Sequence, residues 1–203
     1  MLGSPQNYEQ AARSAYTPSL PCSAGRLGGA ILIPVLLEER DPLGWVMKAL
    51  REAGGSIITE FAGLDEDALR TRPGEGDLCL KEIAAHLRDS EELALRQVTS
   101  LLERPERTIP FWDVDVLPLE RDYVAMDLHM LLMEFRSLRR ETSALLWGLT
   151  EREWRREGKH PYKGSITLEE IAQELARHDL EHLWQVRRLK ADLGADAPSS
   201  GDW

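Results

Sequence analysis

Cysteine is scarce in this chain. Only Cys22 and Cys79 occur among 203 residues, and they are not in CxxC spacing. Two thiols cannot make a disulfide framework, so the protein must build its own core, and their scarcity suits a reducing compartment. Basic residues are the minority, 25 against 35 acidic, for a formal net charge of -10. A surface of that sign repels polyanions and argues against nucleic acid as a partner. Long apolar runs are missing too. The nearest, Leu27 to Leu37 (LGGAILIPVLL), is interrupted by Pro34 and runs into Glu38-Glu39-Arg40-Asp41 without a small-residue cleavage site. It fits neither a membrane span nor a signal peptide. The expectation is a cytoplasmic protein with no membrane partner. No nucleophile elbow, Walker loop, dinucleotide fingerprint or Ser-His-Asp order is present.

What is present is helical patterning. Residues 1–25, rich in Ser, Pro, Gly, Ala and Gln, read as a disordered leader. Residues 26–41 read as an extended arm, residues 42–193 as one helical domain, and residues 194–203 as a tail. Asp41-Pro42 opens a first helix that runs to about Phe61, with Gly54-Gly55 as a kink. Asp65 caps a short turn. A second helix spans about Leu78 to Glu103, with Asp77 as cap, and Pro105 ends it. The segment from Arg104 to Asp122 contains three prolines, Phe111 and Trp112. Fully extended it could reach roughly 60 Å, more than the length of a helix of about 26 residues. The second and third helices can therefore run parallel, joined by a crossover. The third helix is expected from about Tyr123 to Leu149, with Arg136, Arg139 and Arg140 pairing with Glu134 and Glu141 on a solvated face. Thr150 caps a second short turn, and a loop with Gly158, Pro161 and Gly164 follows.

The fourth helix, Leu168 to Leu193, has the strongest signals. Thr167 and Glu170 stand at capping-box spacing, and Gly194 is a C-terminal stop. Its stripe in steps of three and four is Leu168, Ile171, Leu175, His178, His182, Gln185 and Leu189. His178 and His182 lie one turn apart on one face, the spacing at which two imidazoles chelate one ion. Surface histidines are the plain alternative. Their place in the inward stripe favours a shared ligand, because burying imidazoles without partners costs free energy. Glu174, a further turn back, is a candidate proton acceptor.

An internal echo points to a third histidine. Residues 64–70 (LDEDALR) resemble residues 149–155 (LTEREWR), and LKEIAAHL (80–87) resembles LEEIAQEL (168–175). His86 then aligns with Glu174 and would face residues 174–182 across a bundle. Alone, His86 reads as a core histidine bonded to a carbonyl. Asp89 can orient it or be a solvated helix acid. His129 and His160 read as structural or surface residues, with His160 near a site mouth.

KEIAAHLRDSE (81–91), a long crossover and then HDLEHLWQVRRL (178–189) resemble the DinB-like superfamily, which includes the YfiT-type metal-dependent hydrolases. The resemblance covers roughly residues 43–193. It implies an all-α four-helix bundle with a long crossover between the second and third helices. It also implies a divalent metal on His86, His178 and His182, with Gln185 matching a glutamine often seen after the pair. Leu78 departs from the pattern, where the family often has tryptophan. Members include thiol-dependent isomerases and transferases, hydrolases, and proteins without known activity, so fold does not decide function.

Three readings follow. The first is a metal-dependent hydrolase or thiol-dependent transferase acting on a small molecule. The second is a non-enzymatic metal-containing protein that binds a small ligand. The third is a metal-free helical interaction module. Imidazole ligands suit zinc, nickel and iron alike. Homodimerisation through the aromatic crossover around Phe111 and Trp112 is a further expectation.

Overall fold

The computed structural model describes residues 42–105 and 107–194. The expected leader, the extended arm, the Asp41 cap and the tail beyond Gly194 lie outside the described residues. Four long helices carry the fold: α1 (Pro42–Glu60), α3 (Leu80–Glu103), α5 (Leu128–Trp147) and α7 (Leu168–Asp192). Between them lie three short helices, α2 (Glu66–Arg70), α4 (Leu117–Glu120) and α6 (Glu151–Trp154), and a 3-10 turn at Tyr123–Ala125. Strands β1 (Glu157–His160) and β2 (Gly164–Thr167) are the remaining elements among the described residues. Among the described residues, no helix is long and apolar enough to cross a membrane.

The core assigns direction to each helix. At one end Val46 and Leu50 of α1 pack with Val98 and Leu101 of α3, Leu146 of α5, and Leu168, Ile171 and Leu175 of α7. At the other, Ile57 of α1 and Phe61 just after it meet Ile83 and Leu87 of α3, Phe135 of α5, and Leu183, Val186 and Leu189 of α7. α1 and α7 therefore run one way and α3 and α5 the other. The parallel pair α3 and α5 requires the crossover that the long connection promised. Each fully buried Leu, Ile, Val or Phe side chain contributes roughly 1.5–3 kcal/mol, so these two apolar clusters hold the bundle without help from an ion.

The crossover is pinned at both ends. Near its start, Ile109 N donates to Lys159 O at 3.0 Å and Lys159 N to Arg107 O at 2.9 Å. Gly158 lets the hairpin come this close, because a Cβ there would sit 2.7 Å from both Ile109 and Leu101. Near its end, Asp89 of α3 accepts hydrogen bonds from the Tyr123 hydroxyl and, at 3.1 Å, from Arg121 Nη1.

Several boundaries differ from the sequence reading. α3 starts at Leu80, with the Cys79 N–H donating to Glu82 Oε2 at 2.9 Å. Asp77 is not its cap; it belongs to the preceding turn, where its carbonyl accepts from Arg72. α5 starts at Leu128, capped by Asp127, whose Oδ1 accepts from Met130 N at 2.8 Å. Tyr123–Ala125 is a separate turn capped by Asp122. Residues 157–167, expected as a loop, form an antiparallel hairpin in which Glu157 pairs with Thr167 and His160 with Gly164. Gly54 has a packing role. A Cβ there would lie 3.0 Å from Arg139 Nη1, so glycine makes room for a buried guanidinium.

Candidate metal centre

His86 sits on the second turn of α3, deep in the bundle and 2 % exposed. His178 and His182 project from successive turns of α7, half-buried beside the seam. The three ring edges meet. His86 Nε2 lies 2.9 Å from His178 Nε2, and His182 Nε2 lies 3.1 Å from the same atom. One nitrogen from each ring falls within 4.8 Å of the others.

The outer nitrogens set the tautomers. His86 Nδ1 faces the Val114 carbonyl of the crossover at 3.3 Å, and His182 Nδ1 faces Gln185 Oε1 at 2.8 Å. Both partners accept, so each Nδ1 carries the proton and each Nε2 presents a lone pair. Both lone pairs point at His178 Nε2, which could donate one proton to one of them only. At least one contact is then lone pair against lone pair, and a cation relieves it. The two contacts of His178 agree in spacing: bonds of about 2.0–2.1 Å to one ion put ligand nitrogens about 2.9–3.4 Å apart, against 2.9 and 3.1 Å here. The residues therefore fit a divalent transition metal. His178 Nδ1 is buried without a hydrogen-bond partner, which makes His178 the least satisfied of the three.

Burial holds all three rings in the neutral form that binds metal. It pushes His86 below its ordinary pKa. Burial, and after it repulsion from the other two rings and Arg139, takes His178 down to about 2. His182 falls to about 4, from burial and then from His86.

A second polar cluster lies next to the first. Arg139 of α5, 7 % exposed, is not on a solvated face as its sequence context suggested. Its Nε and Nη2 donate to Glu91 Oε2 at 2.8 and 2.5 Å, and its Nη1 to Leu50 O at 2.7 Å. Nη2 also lies 2.7 Å from Asp179 Oδ2. Asp179 follows His178 in α7, so the true seam of this helix runs through Asp179, Leu183 and Val186, and the histidines flank it.

The remaining candidates are placed as follows. Asp89 does not orient His86; it is buried and held by Tyr123, Arg121 and Arg88. Glu174 lies outside the histidine group and accepts from Lys163 Nζ at 2.5 Å. His160 is buried at the end of β1, and its Nδ1 accepts from Tyr162 N at 3.1 Å and Lys163 N at 3.2 Å, closing the hairpin turn. His129 is exposed. Phe111 packs edge-on against His160 and Tyr162, and Arg96 lies over the Trp112 ring. Sequence reasoning missed Val114 and Asp115. Asp115 Oδ1 stands 3.9 Å from His86 Nε2. The available signal was Asp113 and Asp115 either side of Val114 in the otherwise apolar middle of the crossover, residues 109–119, a turn-forming pattern.

The fold has relatives. No curated protein sequence is significantly similar to the chain. YfiT from Bacillus subtilis, described as a probable metal-dependent hydrolase with an unusual four-helix bundle topology, superposes with a TM-score of 0.69 at 21% identity, over 85% of this chain and 94% of that one. A mycothiol-dependent maleylpyruvate isomerase superposes with a TM-score of 0.60 at 12% identity, over 71% of this chain and 60% of that one. An uncharacterised protein from Escherichia coli gives 0.58 at 11% identity, over 75% of this chain and 94% of that one. At these identities the likeness is one of fold. The sequence model of the DinB superfamily matches residues 49–186, and the chain belongs to that superfamily.

Proposed function

We propose that this protein binds one divalent transition-metal ion through the Nε2 atoms of His86, His178 and His182, and that it acts on a small molecule there as a hydrolase or a thiol-dependent transferase. The observation that carries this is the meeting of three imidazole nitrogens at 2.9 and 3.1 Å with two outer nitrogens already committed to Val114 O and Gln185 Oε1. Fixed tautomers and neutral rings are what a ligand set needs before the ion arrives. Three protein ligands leave a coordination position free, which distinguishes a reactive site from a closed structural one. When bound, the ion supplies Lewis acidity that activates water or a thiol at neutral pH. The chain supports that chemistry by keeping the rings neutral, fixing their direction and closing the inner side with apolar side chains of α3 and α7.

YfiT's description as a probable metal-dependent hydrolase, and the thiol dependence of the isomerase, support testing both reaction classes. Imidazole donors do not select among zinc, nickel and iron. The test is metal analysis of purified protein, followed by ester, amide and thiol-transfer screens on the stripped and reconstituted forms. About one ion per chain, with turnover that disappears on stripping, is expected. A stoichiometric ion without turnover moves the reading to a metal-containing ligand-binding protein, and absence of any bound ion after reconstitution overturns it.

A further inference from the structure

The crossover brings a carboxylate to the three-histidine group. Residues 113–116 form a tight turn: Val116 N donates to Asp113 O at 3.3 Å, and Asp115 N donates to Asp113 Oδ1 at 3.1 Å. The two residues inside this turn face His86 differently. The Val114 carbonyl takes Nδ1, while Asp115 Oδ1 lies 3.9 Å from Nε2, the edge at which the rings converge. The Asp115 side chain is 85% exposed, whereas the inner side of the cluster is sealed and holds the buried His178 Nδ1. Asp115 thus stands on the solvent side of the group. Asp115 stays outside the group whose donor atoms all lie within 4.8 Å of one another. From there its oxygen can contact whatever occupies the open position.

We propose that Asp115 is a positioning residue at the mouth of the centre: its carboxylate takes a hydrogen bond from a protic ligand in the open position and turns anions away. The favoured ligand class is therefore neutral molecules that keep an O–H or N–H to donate once bound, such as water, an alcohol or hydroxylamine. A carboxylate is acceptor-only, and an anion that cannot donate meets like charge there. Glu174 is tied to Lys163 and does not duplicate this role.

The inference rests on the metal reading above. Cobalt(II)-loaded protein tests both, because its visible absorption reports the ion and its ligands. Azide, an anion without a proton to give, and hydroxylamine, a neutral ligand that keeps O–H and N–H protons when bound, are titrated into wild type, Asp115→Asn and Asp115→Glu at one pH. Asp115→Asn should bind azide more tightly and hydroxylamine more weakly, shifting the ratio of the two affinities by about tenfold, the size of one charge-assisted hydrogen bond. Asp115→Glu should recover part of the wild-type ratio. Cobalt taken up normally with an unchanged ratio in Asp115→Asn overturns the role of Asp115 and leaves the metal reading standing. Failure of the wild type to take up cobalt overturns both.

Discussion

Two polar clusters lie inside the same bundle, and α7 supplies them from adjacent residues, His178 and Asp179. They are built on opposite plans. The Arg139 cluster carries its own counter-charge: one guanidinium is shared by Glu91 and Asp179 and also donates to Leu50 O, and the second oxygen of Glu91 is left buried without a partner beside that cation. The histidine cluster has no internal answer, since two Nε2 lone pairs converge on a third ring. Buried polar groups of a structural kind bring their partners with them. A group left facing its like is a request for something from outside, and this contrast separates scaffold from site here better than burial does.

The contrast breaks most sharply at Arg139. Arg139→Met strands two buried carboxylates and should lower stability by about 3–5 kcal/mol in urea unfolding, with or without metal. A loss under about 1 kcal/mol would mean that the cluster is not a scaffold element. His182→Ala is the mirror image. It should cost most of the bound metal by elemental analysis, yet leave the helix content and stability of the stripped protein close to wild type. Full metal occupancy in that variant would remove His182 from the site.

Acid should sharpen the difference, because the clusters titrate in opposite senses. His182 and His178 have folded values of about 4 and about 2 against an ordinary 6.5. Below about pH 6.5 the unfolded chain takes up protons that the folded one refuses, so stability falls with pH. Asp179 is pushed up from 3.8 to about 7, first by burial and then by the charge of Glu91, against the opposing pull of Arg139. There the folded state holds the extra proton, and stability rises as pH falls from about 7 toward 4. Asp179→Asn should unmask the histidine slope, so that the stripped variant loses stability between pH 7 and 5 more steeply than stripped wild type. Parallel urea midpoints for the two proteins across that range would refute the opposition.

The smallest test concerns two neighbouring glycines. Gly55→Ala meets nothing within 4 Å and should stabilise α1 by about 0.5–1 kcal/mol. Gly54→Ala, 3.0 Å from Arg139 Nη1, should lose that gain. Equal thermal shifts for both would mean that Arg139 does not need the gap.

Much of the scaffold was legible because its signals are local. The Thr167 and Glu170 cap of α7 forms as spaced, and the caps of α2 and α6 at Asp65 and Thr150 form as well. Chain length allowed the parallel α3 and α5, and the resemblance implied them. The resemblance likewise implied that His86 meets His178 and His182; stripe and echo placed the three on facing helices, although the histidines flank the seam of α7. Arg139, Glu91 and Asp179 were not, because charged residues are rarely buried unless paired and the pairing spans three helices. The hairpin was missed because Glu157–His160 has no alternating apolar pattern; the crossover and β2 hold it. Val114 acts through a carbonyl, which every residue possesses, so its own side chain does not mark it and only the flanking aspartates hint at the turn.

The parallel pairing has a kinetic meaning. His86 and His178 are 92 positions apart, and α3 cannot dock on α5 until the crossover has looped back between them. Bundles of consecutive hairpins fold through near-neighbour contacts, whereas this one must close a distant loop first, which slows the search. Three ligands drawn from both ends of that search come together only near its end. An ion binding there would act on the finished fold, slowing unfolding and leaving the refolding rate almost untouched.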